Sequence, residues 1–200
     1  LSGNRYPKQW DRFDISSDLY DLKSDIAALL DVGLGEEDVE YRAFPHPALH
    51  SGQSAQIFFK NQLIGIAGAL HPRLMKEFDL NQSVFLFELD LSLISSKKRL
   101  KFRKLSKFPV VKRDISVLLG KEIAVDEVIK CIKSEVNELL TNLELFDVYQ
   151  GEGIDIEKKS LALGLTFQAS SSTLTEVEVE SVIVRILNAL YSEFGATLRE

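Results

Sequence analysis

Hydrophobic positions along the chain alternate between two periods, and the changes of period outline its elements. Leu19, Leu22, Ile26, Leu29 and Leu30 recur at helical spacing behind Ser17 and Asp18, which suit a helix cap, and Gly33 and Gly35 suit its end. QIFFKNQLIGIAGAL reads as two strands about a polar Lys60-Asn61-Gln62 turn, so a hairpin is expected. Pro72 fits the first turn of a short helix over 72–78, and SVFLFELDLSLI reads as one further strand. Over 95–107 the period vanishes and Lys97, Lys98, Arg99, Lys101, Arg103, Lys104 and Lys107 crowd together. Residues 95–105 are therefore read as a basic linker between a first module, 1–94, and a second, 106–200.

The second module has a clear order. Ile115, Val117 and Leu119 alternate as a strand; Val125, Val128, Ile129, Ile132, Val136 and Leu139 follow a helix. Leu143–Gln150 reads as a second strand, Gly151–Glu157 as a turn, and Lys159–Gln168 as a third strand carrying Leu161, Leu163, Leu165 and Phe167. Thr175 and Glu178 have capping-box spacing before a helix marked by Val179, Val182, Ile183, Ile186, Leu187 and Leu190. Ala196–Arg199 closes as a short strand. The pattern βαββαβ predicts an α+β, ferredoxin-like sandwich.

Such a sheet has helices on one face and leaves the other open. Period-2 alternation sends Ile115, Val117, Leu119, Phe146, Val148, the Leu161 series and Leu198 inward. Asp114, Ser116, Asp147, Tyr149, Ser160, Ala162, Gly164 and Arg199 then face out. With strands one and three taken as parallel, and two and four opposed to them, Asp114, Asp147, Tyr149, Ser160 and Arg199 converge at one end. An aromatic ring, a guanidinium, carboxylates and a hydroxyl are the parts needed to stack an unpaired base and read its edge. The same assignment exposes Leu143 and Leu145, which could instead dock on a protein. A protein-interaction or small-molecule-sensing module is therefore the alternative to RNA binding.

Composition narrows the setting. With 45% hydrophobic and 27% charged residues, the chain has apolar material for a core. The net charge of −6 falls essentially on residues 107–200, so no global basic field attracts RNA and any contact must be local. The single cysteine, Cys131, excludes an intrachain disulfide, reads as a small packing residue, and fits a reducing, cytoplasmic compartment. No run approaches the roughly 20 apolar residues of a membrane span. The start, LSGNRYPKQW, has no Met and reads as cut from a longer chain.

Other candidate chemistry is weak. His46 and His50 have i,i+4 spacing, but Pro45 and Pro47 oppose a helix there, and His71 is a remote third ligand, so turn histidines are expected rather than a metal site. Asp11, Asp14, Asp18 and Asp21 read as an acidic bias at a helix start. Gly65 and Gly68 lack phosphate-loop spacing and its Lys; close packing is expected, with a subunit interface as one place for it.

KFPVVKRDISVLL, LFDVYQG, KSLALGLTFQ, the Thr173-Leu174-Thr175 run and ATLR together resemble the anticodon-binding domain of the bacterial phenylalanyl-tRNA synthetase β-subunit family. GNRYPKQW, LYDLKSDIAALL, AFPHPALHSGQSAQIF, IGIAGALHPRLMKEFDL and VFLFELDL resemble the module preceding it, a class II synthetase-like antiparallel α+β fold without catalytic function. The resemblance covers nearly the whole chain. It implies binding of the anticodon stem-loop of phenylalanine tRNA, with base-contacting positions falling on Asp147, Tyr149, Ser160 and Arg199. Asp114, reached by pattern alone, could equally hold Arg113 or a neighbouring backbone group. Where a working class II site has a glycine-rich turn with an ATP-binding Arg, this chain has FELDLSLI. The resemblance thus implies no cofactor in this chain, with phenylalanyl adenylate made from phenylalanine, ATP and Mg by an α subunit in an enzyme of two α and two β chains.

Overall fold

The computed structural model describes residues 1–33, 39–94, 105–136 and 139–199. The chain divides into two compact units, Leu1–Lys101 and Phe102–Glu200. The basic segment read as a linker, 95–105, lies outside the described residues apart from Leu105.

In the first unit α1 (Leu19–Gly33) is capped reciprocally. The Asp18 carboxylate accepts from the N–H groups of Tyr20 and Asp21, at 2.8 and 2.9 Å, and Asp21 accepts from the N–H of Asp18 at 2.9 Å. Burial pushes the Asp21 carboxyl up, but the Asp18 N–H and the Arg5 guanidinium, 2.5 Å away, outweigh it and hold the group below its usual range. Leu22, Ile26 and Leu30 share a core with Ile57, Ile64, Ala67 and Phe85. Each fully buried Leu or Ile is worth roughly 1.5–3 kcal/mol. These sheet residues belong to an antiparallel sheet of β1 (Val39–Ala43), β2 (Leu49–Phe59), β3 (Gln62–Leu70) and β4 (Phe85–Leu89), in that spatial order. The β2–β3 hairpin turns on two residues, Lys60 and Asn61 at φ 49° and 64°, the left-handed pair that matches strand twist.

Three readings of this unit change. SVFLFELDLSLI is not one strand: β4 ends at Leu89, and Asp90 accepts from the N–H and hydroxyl of Ser92 (2.9 and 2.6 Å), starting a helical turn, α3 (Leu91–Ile94). The same bonds from Ser92, hydroxyl first, hold the Asp90 carboxyl below its usual range. β1, with the sequence VEYRA and only partly buried, is a strand that no hydrophobic period announces. Gly65 and Gly68 are fixed inside the sheet, since added Cβ atoms would lie 2.2 Å from the Glu88 carbonyl oxygen and 2.5 Å from that of Gln53. No subunit interface is needed to explain them. Between β3 and β4, α2 (Pro72–Glu77) is capped by the His71 side chain.

The second unit runs β5 (Val111–Gly120), α4 (Val125–Val136), β6 (Leu140–Tyr149), β7 (Lys158–Phe167), α5 (Glu176–Phe194) and β8 (Thr197–Leu198). Its sheet has the order β6-β7-β5-β8. Ile115, Val117, Leu119, Leu161, Leu163, Leu165 and Phe167 pack in one core with Val128, Ile132 and Val136 of α4 and Val179, Val182, Ile186 and Leu190 of α5. Cys131 joins that core; burial first, then the Glu193 carboxylate, pushes its thiol up to about 11. Thr175 and Glu178 form the expected capping box, and α5 ends on Gly195 at φ 62°.

Two expectations about this sheet are corrected. β5 and β7 run antiparallel, so strands one and two, not one and three, point the same way. A helical crossover returns the chain to begin a strand in the same direction, whereas the short turn after Tyr149 reverses it. Second, β6 has an irregularity between Leu145 and Asp147. One extra residue there breaks the alternation. Leu143 and Leu145 pack against the core instead of standing exposed, and Phe146 moves to the open face.

Candidate nucleic-acid interface

The register of the second sheet brings most of the expected residues together. Tyr149 pairs with Ser160, and Ser160 with Leu118 on its other side. In the next row, two residues along, Asp147 pairs with Ala162 and Ala162 with Ser116. The short edge strand β8 brings Arg199 beside Ser116, its N–H donating to the Ser116 carbonyl at 2.9 Å. From there the guanidinium lies over the Tyr149 ring, 5.0 Å from its centroid.

Tyr149 is held from a second side. Its hydroxyl donates to the Glu152 carbonyl at 3.1 Å, and the ring lies so near Gly151 that a Cβ there would be 2.9 Å from Oη. Tyr149 is still 36% exposed. Asp147 is exposed beside it, and the small Ala162 leaves space between the strands. Ser160, in contrast, is only 3% exposed, with Oγ 3.1 Å from that of Ser116. It lies in the floor rather than on the surface.

Asp114 stands one row beyond Asp147, opposite Gly164, and not in the cluster at Tyr149. The antiparallel run of β5 and β7 moves it there. Nor does it hold Arg113, which pairs with Glu176 and donates to the Lys112 carbonyl. Phe146, 56% exposed, also reaches toward Gly164. Sequence alternation missed this ring; the adjacent Leu145 and Phe146, two large apolar residues in a strand of period 2, were the available signal for a bulge. Val148 pairs with Leu161 on the core side but remains 47% exposed on the edge strand.

The other candidates have local roles. Nδ1 of His46, His50 and His71 accepts the backbone N–H of Ala48, Gly52 and Arg73 respectively, at 3.1–3.3 Å. Among the described residues no group of three or more His, Cys, Asp or Glu gathers in a way that could hold magnesium, and Phe85–Ile94 contains no Arg for ATP. A concavity of about 470 Å³ in the first unit includes Arg5 and Asp21 in its wall, two charges already paired to each other. No helix among the described residues is long and apolar enough to cross a membrane.

Comparison with known families covers both units. Residues 106–199 match the ferredoxin-fold anticodon binding domain, and residues 1–91 match the phenylalanyl tRNA synthetase beta chain CLM domain. The chain belongs to the phenylalanyl-tRNA synthetase β-chain family. It is 42% identical over 200 residues to the phenylalanine–tRNA ligase beta subunit of Pseudomonas putida and 44% identical over 201 residues to that of Nitrosococcus oceani. The beta subunit of Coxiella burnetii is 40% identical over 200 residues. Each match takes in 100% of this chain and 25% of the relative, so the chain spans about a quarter of the length of these curated relatives. Within the anticodon-binding domain, the cluster at Tyr149 offers an aromatic ring with a guanidinium over it, an exposed carboxylate beside it, and a floor without bulky side chains. That combination can stack a nucleobase and accept from its N–H donors.

Proposed function

We propose that this chain is a non-catalytic, tRNA-binding part of a cytoplasmic phenylalanyl-tRNA synthetase, and that its second unit reads the anticodon stem-loop of phenylalanine tRNA. One observation carries the reading: Arg199 lies over the partly exposed Tyr149 ring with Asp147 next to it, on the open face of a sheet in an anticodon-binding domain. Tyr149 stacks an unpaired base, Asp147 accepts from the base edge, and Arg199 completes the stacking surface. Ser160, bonded to Ser116 below them, is a positioning residue. The first unit acts as a class II synthetase-like module without chemistry of its own. ATP-dependent, magnesium-dependent charging of the tRNA belongs to an α subunit, with two α and two β chains in the assembly.

The test is binding of the phenylalanine anticodon stem-loop, and of loops with altered anticodon bases, to the full synthetase. Tyr149→Ala and Asp147→Ala should each weaken binding of the cognate loop by roughly 5- to 100-fold and erase its advantage over altered loops. Cognate preference unchanged in both variants would defeat the proposal and favour a protein-docking role for this face.

A further inference from the structure

We infer that the open sheet carries a second nucleobase subsite, formed by Phe146, Gly164 and Asp114, next to the one at Tyr149; the inference rests on the reading that this face binds unpaired RNA. The irregularity after Leu145 places the Phe146 ring on the open face, more than half exposed, where alternation would have buried it. A strand that bends to present an aromatic ring to solvent forgoes its packing, and bulges commonly re-aim a side chain in this way.

Opposite the ring lies Gly164. A Cβ added there would sit 3.7 Å from Phe146 Cδ1 and 3.4 Å from Asp114 Oδ1, ordinary contact distances. Gly164 has no positive φ. Neither backbone conformation nor crowding demands a glycine, unlike Gly65 and Gly68, where a Cβ would strike carbonyl oxygens. A glycine in a strand interior often marks a bulge, a bend or a close approach by another molecule; β7 is regular through Gly164 in its pairing with β5, which leaves the close approach. The result is a bare patch of sheet with a ring on one side and a carboxylate on the other.

The charges define the ligand. Glu144 also pairs with Gly164, so Asp114 and Glu144 flank the patch, with Asp147 beyond; Lys112 is one row further along β5. Asp114 has no ion pair among the described residues, and its sequence neighbour Arg113 pairs with Glu176. Such a patch repels phosphate and favours a base edge rich in N–H donors. The ligand class is therefore a base with an exocyclic amino group, over uracil, stacked on Phe146 with its edge toward Asp114.

Spacing fixes how the two subsites relate. Phe146 and Tyr149 are three residues apart on one strand, which at about 3.3 Å per residue separates them by roughly 7–10 Å. Stacked bases rise about 3.4 Å. The two rings therefore suit neighbouring nucleotides whose bases are splayed apart, one on each ring.

A stem-loop series lacking one loop base at a time tests this with the full synthetase. Phe146→Ala should weaken binding roughly 5- to 100-fold, and Phe146→Leu, which keeps apolar bulk for the fold, should weaken it nearly as much. Gly164→Ala, which fills the patch at ordinary contact distance, should weaken binding without lowering Tm. The base whose removal costs nothing in Phe146→Ala should adjoin the base whose removal costs nothing in Tyr149→Ala. If Tyr149→Ala loses affinity while Phe146→Leu and Gly164→Ala bind as wild type, the second subsite is wrong and the first stands. If all variants bind as wild type, the face does not bind RNA and both readings fall.

Discussion

Arg199 and Tyr149 carry the site through geometry more than through charge. The guanidinium is planar and lies over the ring, and the backbone N–H of Arg199 is tied to Ser116, which fixes where the side chain starts. A lysine ammonium keeps the charge but is a compact, strongly hydrated point without a flat surface. Arg199→Lys should therefore lose most of the tRNA affinity that Arg199→Ala loses, several-fold in each case, measured on the full synthetase. Wild-type binding in Arg199→Lys would mean that the site needs only a positive charge. At this scale, sequence was a good guide to which side chains share the face and a poor one to their accessibility. Tyr149, Asp147 and Arg199 stand where alternation puts them. Ser160 also faces the open side, but its neighbours bury it, and no residue pattern reports what neighbours cover.

Elements were legible where one local rule decides them. Thr175 and Glu178 announce the start of α5, and the polar Lys60-Asn61 pair announces the β2–β3 turn. Legibility failed where one added residue overrules a period, as at Phe146, or where a side chain ends a strand early, as Asp90 does. Strand direction was misread although the connections held the answer, since a helix between β5 and β6 keeps direction and a turn between β6 and β7 reverses it. The cap of α5 gives a prediction with a definite sign. The backbone N–H of Thr175, then its hydroxyl, hold the Glu178 carboxyl below its ordinary value of 4.5, against a small opposing effect of burial. Its contribution is thus complete above that value and is lost as pH falls through the lowered one. Urea midpoints of the wild type should drop more between pH 6 and pH 3 than those of Glu178→Gln. Thr175→Ala should cost about 0.5–2 kcal/mol at pH 6. Equal pH sensitivity in wild type and Glu178→Gln would remove Glu178 from the account.

For the whole molecule the governing fact is an RNA-binding reading on a chain of net charge −6. Recognition by field attraction and recognition by base edges differ in their response to salt, because each phosphate neutralised on a single strand adds about −0.7 to the slope of log K against log salt. On the open face of the second sheet, among the described residues, Lys112, Lys158 and Arg199 are the cations at outward-facing or adjoining positions, against Asp114, Glu144 and Asp147. Even if all three cations met phosphates, the slope would reach only about −2. With Arg199 engaged over Tyr149 it should be shallower still. The share of anticodon stem-loop affinity that comes through this face should accordingly weaken only modestly from low to physiological salt, read as the change in slope when Lys112, Lys158 and Arg199 are replaced by Ala, while loss of a single loop base weakens binding strongly. A slope much steeper than −2, with indifference to which bases are present, would place the affinity in phosphate contacts. The carboxylates of the open face would then repel the RNA instead of reading it.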